Sequence, residues 1–242
     1  MMATYALVLL VGLAAGVVSG VIGTGSSIIL LPILVFEYGP KEAVPIMAVA
    51  ALMSNTARLA AWWRDVDWRA FAAYSLPGIP AAALGARTLL VLPAHIVDIA
   101  LGLFFLAMIP LRHWHAQRGF HIRLWQLAVA GALIGFLTGI VLSTGPLSVP
   151  AFTSYGLEKG AFLSTEAASS LALYIAKVIT FRQLGALPAP TILRGLIIGS
   201  SLMIGAFASK AIVRRMSIHT FRYLIDALLL FSGLSLLWAA FA

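Results

Sequence analysis

The 242-residue chain reads as an all-α integral membrane protein: two inverted repeats, each a broken re-entrant helical hairpin plus three transmembrane helices. Three features carry that reading. Charged residues make up 10% of the chain and hydrophobic ones 62%, where a soluble domain has about 25% charged. The apolar residues come in runs of about twenty, long enough to span a bilayer, without the period-two alternation of an outer-membrane barrel. The glycines and polar breaks of the first half return in the same order in the second.

This composition excludes a soluble enzyme and a nucleic-acid module, because there is too little polar surface to cover a globule. The absence of cysteine excludes disulfides, thiolate metal sites, iron–sulfur clusters and cysteine nucleophiles. The formal charge of +8 reads as loops held on the cytoplasmic side. No Lys or Arg precedes the first apolar run, so that segment is expected to be retained rather than cleaved as a signal peptide. No Walker loop, GxGxxG, HExxH or GxSxG is present, so neither ATP-driven transport by this chain nor an enzyme is expected, and no cofactor or metal.

In chain order the apolar segments fall at about 4–37 (interrupted), 42–63, 70–90, 94–111, 124–155 (interrupted), 161–182, 190–212 and 218–241. The long polar stretch RHWHAQRGFHIR divides them, giving a first repeat at 1–111, a basic cytoplasmic linker at 112–123 and a second repeat at 124–242. His113, His115 and His121 lie there among Arg112, Arg118 and Arg123, which reads as a solvated patch rather than a metal site. Gly12, Gly16 and Gly20 recur as Gly131, Gly135 and Gly139, at an offset of 119. Pro32 and Pro150, the pairs Tyr38-Gly39 and Tyr155-Gly156, and Gly85-Ala86 and Gly205-Ala206 follow in order. A GxxxGxxxG stripe lets another helix approach closely. It does not account for Gly23-Thr24-Gly25-Ser26-Ser27 or Ser143-Thr144-Gly145-Pro146, which break an apolar helix. Such breaks are tolerated only when buried in protein or lining a wet cavity.

Charge counting separates two topologies. If each broken segment crosses, seven cations lie on each side of the membrane. If each turns back at its break, ten lie on one side and four on the other, with Arg58 and Lys177 inside the segments. The second arrangement satisfies the positive-inside rule. It places both termini outside a cell (inner) membrane and the midloop in the cytoplasm. Three crossings per half then invert the second repeat relative to the first.

Ionisable groups at membrane depth need a reason. Asn55 and Arg58 are three residues apart and Ser54 and Arg58 four, so they share a helix face. They form either the wall of an anion site or a snorkelling arginine near the membrane edge. Lys177 holds nearly the same place in the second half. Glu166, eleven residues before Lys177 and about 16 Å away along a helix, cannot pair with it. Glu166 is either a coupling carboxylate or interfacial; Asp226 is the other coupling candidate. Where each helix restarts, unpaired N–H groups carry the positive end of the dipole. Gly23, Thr24, Gly25, Ser26, Ser27, Ser143, Thr144, Gly145 and Ser148 are therefore expected, with Asn55, Arg58 and Lys177, to cradle an oxyanion near the midplane.

These residues resemble the sulfite exporter TauE/SafE family. The resemblance rests on GLAAGVVSGVIGTGSSIILLPIL near the N-terminus, VDW at 66–68 and GARTLLVLP at 85–93. In the second half it rests on GALIGFLTGIVLSTGPLSVPAF and GAFASKAIVRRMS. It implies a secondary transporter of small sulfur-containing or organic anions, such as sulfite, sulfoacetate or carboxylates, with hairpins around a central site and elevator-like motion. Ser26, Ser27 and Pro146 depart from the family's usual glycine-rich motifs, so the cargo does not follow from the family name.

The expected function is thus secondary transport of a small anion, with an anion channel or a membrane assembly factor as alternatives. The expected partners are the bilayer, the anion and a coupling proton or sodium ion, with a homodimer as an allowed assembly. Reporter fusions after Ala242 and at Gln117 are expected to report opposite sides of the membrane; the same side for both would establish eight crossings.

Overall fold

The computed structural model of the chain describes residues 2–22, 26–93, 121–140, 145–157 and 159–213, with scattered residues between 95 and 110 and between 227 and 238. The first half supplies α1 (Met2–Ile22), α2 (Ser26–Tyr38), α3 (Pro40–Trp62) and α4 (Trp68–Val91), with a 3-10 turn at Trp63–Asp65. The second half supplies α5 (Leu124–Ile140), α6 (Gly145–Tyr155), α7 (Lys159–Gln183) and α8 (Ala189–Val213). The scattered residues are helical and fall in the expected segments 94–111 and 218–241. No strand occurs among the described residues, so the protein is all-α. Among the described residues three helices are long and apolar enough to cross a membrane: Lys41–Asp65, Gly160–Gln183 and Ala189–Ala208.

Each interrupted segment is a long helix followed by a short one. The short helices, α2 with 13 residues and α6 with 11, reach about 20 and 16 Å, less than a bilayer core of about 30 Å. Gly23, Thr24, Gly25, Ser143 and Thr144 lie outside the described residues, as do Asp226 and residues 111–120 of the linker.

The repeated Tyr-Gly pairs have a backbone cause. α2 stops at Tyr38 and α6 at Tyr155, and the next residues, Gly39 and Gly156, take φ of 73° and 105°. A side chain strains that conformation, so glycine ends both helices. Pro40 then opens α3, where its missing N–H is no loss. At the start of α4 the Asp67 carboxylate accepts from the N–H groups of Arg69 and Ala70, a side-chain cap. The Asp67 N–H itself donates to Thr165 Oγ1 of α7 at 2.9 Å. At the opening of α3, Glu42 pairs with Arg194 of α8, whose guanidinium lies 4.8 Å from the Tyr38 ring centre.

The two halves pack reciprocally. α1 of the first half lies on α8 of the second, and α5 of the second lies on α4 of the first. Likewise α3 packs on α8 and α7 on α4, while α3 and α7 meet each other. The glycine stripes allow these contacts. A Cβ on Gly16 would strike the Leu202 carbonyl, and one on Gly205 the Leu13 carbonyl. In the other pair, a Cβ on Gly139 would lie 2.5 Å from the Ala82 carbonyl oxygen and the Ala86 nitrogen. The close-approach reading of the first stripe thus holds for Gly12 and Gly16, and the second stripe is built the same way.

Overpacking of this kind costs about 1–3 kcal/mol, and each kcal/mol is worth roughly 2–4 °C of Tm in a chain of this size. Gly16→Ala and Gly139→Ala should each lower the Tm of the detergent-solubilised protein by about 5 °C. Gly12→Ala, whose Cβ meets only the movable Ser201 hydroxyl at close range, should cost less than half as much. An equal loss in all three would remove backbone contact as the explanation.

Candidate functional site

Three Lys, Arg, Asp or Glu side chains are buried among the described residues: Arg58 at 7% exposure, Glu166 at 2% and Lys177 at 0%. Surrounded by helices and lipid, each needs a partner inside the protein. Arg58 sits in the last turns of α3 and Glu166 in the second turn of α7. The end of α3 meets the start of α7, where Gly160 touches Trp62 and Asp65, so the two side chains face each other.

Arg58 Nη1 lies 2.8 Å from Glu166 Oε2. Its Nη2 donates to Asn55 Oδ1, one turn back on α3. Glu166 Oε1 accepts from Ser170 Oγ at 2.7 Å and from Ser148 Oγ at 3.2 Å. Ser148 is the fourth residue of α6, just past the second break. Ser27, the second residue of α2 and just past the first break, is a side-chain hydrogen-bond partner of Tyr174. The first turns of both short helices therefore reach α7.

They reach one face of it. Glu166, Ser170, Tyr174 and Lys177 follow at intervals of four, four and three, a single stripe about 16 Å long. At its far end the Lys177 ammonium donates to the Thr138 carbonyl oxygen at 2.5 Å and lies 5.5 Å from the Phe181 ring centre. Thr138 is in the last turn of α5, where carbonyls lack helical partners and the dipole is negative. Lys177 thus caps the long helix before the second break, and Ser148 ties the short helix after it to Glu166. Tyr74 of α4 closes the side, its ring 4.8 Å from that of Phe152 on α6. The buried hydroxyls of Ser54, Ser75 and Ser169, on α3, α4 and α7, have no hydrogen-bond partner among the described residues. Buried polar atoms are normally satisfied, and these hydroxyls are among the exceptions in the described residues.

The i, i+3 pairing of Asn55 with Arg58 is as the spacing predicts. Arg58 does not snorkel: its guanidinium turns inward to Glu166. Glu166 is buried inside the protein, and Arg58 is one member of an ion pair rather than a lone cation. Arg58 and Lys177 do not stand side by side, because Lys177 lies three turns of α7 beyond Glu166. Ser26 and Ser27 are buried in the first turn of α2, and Gly145 opens α6. Sequence reasoning missed Ser170, Tyr174 and Tyr74. The signal for the first two was available, as hydroxyls four and eight residues after a carboxylate within an apolar helix.

The stripe differs between the halves. Arg58 and Lys177 are each the nineteenth residue of their helix, α3 and α7. Glu166 is the eighth residue of α7, and the eighth of α3 is Met47, fully buried. A carboxylate stands at one of two corresponding places.

Removing one partner of a buried ion pair costs about 3–5 kcal/mol, whereas apolar replacement of both is far cheaper. Arg58→Met and Glu166→Met should each lower Tm by about 10 °C, and the double variant should recover at least half of the summed loss. Simple additivity in that cycle would show that the pair is not coupled.

Comparison with curated proteins and with solved structures returned no match. The family model for Sulfite exporter TauE/SafE matches residues 8–236, so it spans both glycine stripes, both breaks and the whole polar stripe of α7. With apolar helices on either side of that stripe, the chain belongs to the sulfite exporter TauE/SafE family, a family of membrane transporters rather than enzymes.

Proposed function

We propose that the protein is a secondary transporter of a small oxyanion, a sulfite, sulfonate such as sulfoacetate, or carboxylate, bound along the α7 stripe between Arg58 and Lys177. One observation carries the reading. Ser27 and Ser148, each just past a break in its half of the chain, touch the same face of α7. That face is bounded by Arg58 at one end and Lys177 at the other. Helix starts supply unpaired N–H groups and positive dipole ends. Asn55, Ser170 and Tyr174 add side-chain hydrogen bonds. The reciprocal packing of α1 on α8 and α5 on α4 supports two repeats related by inversion. On this reading both termini lie outside and the basic midloop inside a cell membrane.

Export of an anion moving without a coupled ion from a cell that is negative inside is electrically downhill by about 2.3 kcal/mol per charge per 100 mV, so such efflux needs no nucleotide. The test is flux of labelled sulfite or sulfoacetate in proteoliposomes. The expected result is saturable flux with counterflow, reduced at least tenfold by Arg58→Ala and by Lys177→Ala. Unchanged flux in both variants would overturn the site, and rates linear in substrate without counterflow would establish a channel.

A further inference from the structure

In the structure Arg58 already holds an anion. The Glu166 carboxylate is held by the groups that a small carboxylate or sulfonate would use: the Arg58 guanidinium and the hydroxyls of Ser148 and Ser170. Guanidinium binds carboxylate and sulfonate oxygens by the same charge-assisted hydrogen bonds. Cargo and Glu166 therefore compete for one partner.

We infer that the cargo anion displaces Glu166 from Arg58 and that Glu166 then takes up a proton, so that anion and proton occupy the site together. This rests on the anion-transport reading above and adds its coupling ion. Among the described residues, the titratable and charged groups around Glu166 are Arg58 from α3, Tyr74 from α4 and Tyr174 from α7 itself; α6 contributes the Ser148 hydroxyl. Among them Arg58 alone is a cation. A carboxylate that gives up this one counter-ion in a dry interior is neutralised rather than left charged. The balance is simple: one anion and one proton enter from the same aqueous side, the ion pair opens, and the protonated carboxyl keeps its hydrogen bonds to Ser148 and Ser170. On release the proton leaves and Glu166 returns to Arg58. Transport of a monoanion is then electroneutral, and its direction follows the combined anion and proton gradients.

The probe is methanesulfonate, a strong-acid anion whose own charge does not change between about pH 5 and 8. In proteoliposomes holding the full chain, its entry should acidify an internal dye by about one proton per anion. Entry should speed up at least threefold under an inward proton gradient and ignore an imposed membrane potential. Glu166→Gln should lose the acidification, and the methanesulfonate flux it carries should become sensitive to potential. Purified wild-type protein in weak buffer should also take up about one proton per anion bound, a measurement that needs no variant. Saturable net entry in the wild type without proton movement, or driven by sodium instead, overturns the coupling and leaves the transport reading standing. Proton uptake that survives Glu166→Gln and disappears in Lys177→Met also overturns it. Absence of saturable flux for methanesulfonate, sulfite and sulfoacetate alike overturns the transport reading and this inference with it.

Discussion

A charge buried among lipid-facing helices must find a partner inside the protein, and here Arg58 of α3 finds Glu166 of α7. Each helix comes from a different half of the chain, so the pair fixes the depth at which the halves meet. The side chains around it follow from that. Asn55 steadies the guanidinium from behind, Ser170 holds the carboxylate from below, and Ser148 brings the start of α6 against it. Tyr174 then meets Ser27 of α2. Loss of the pair would leave these groups without the charge they are arranged around.

The glycine stripes do the complementary work between backbones. Hydrophobic side chains gain little by leaving lipid for one another, so helices in a bilayer associate by close packing. Gly16 against Leu202 and Gly139 against Ala82 bring the long helices of each half against a helix of the other. Those contacts lie where lipid would otherwise reach. The polar stripe of α7 is thus flanked by helices that meet through small residues, with the Glu42–Arg194 pair joining α3 to α8.

Much of this was legible in the sequence, because the features involved are local or periodic. Lipid-length apolar runs, glycines four apart and the i, i+3 relation of Asn55 to Arg58 are all read within one helix. The partner of Arg58 was not legible. Glu166 lies 108 residues away, and no spacing rule connects two helices of different repeats. The same limit hid the Thr138 carbonyl that receives Lys177 and the Thr165 hydroxyl that receives the Asp67 N–H. Backbone partners carry no residue type to search for. Tyr174 was overlooked because a tyrosine in an apolar helix reads as bulk until its hydroxyl meets something.

The methionine at position 47 makes the two halves unequal. With a carboxylate at the eighth place of both α3 and α7, each half would offer the other the same counter-charge. Met47 cannot do for Lys177 what Glu166 does for Arg58. The counter-charge is lodged in one half alone, and Lys177 is left to a backbone carbonyl and an aromatic ring.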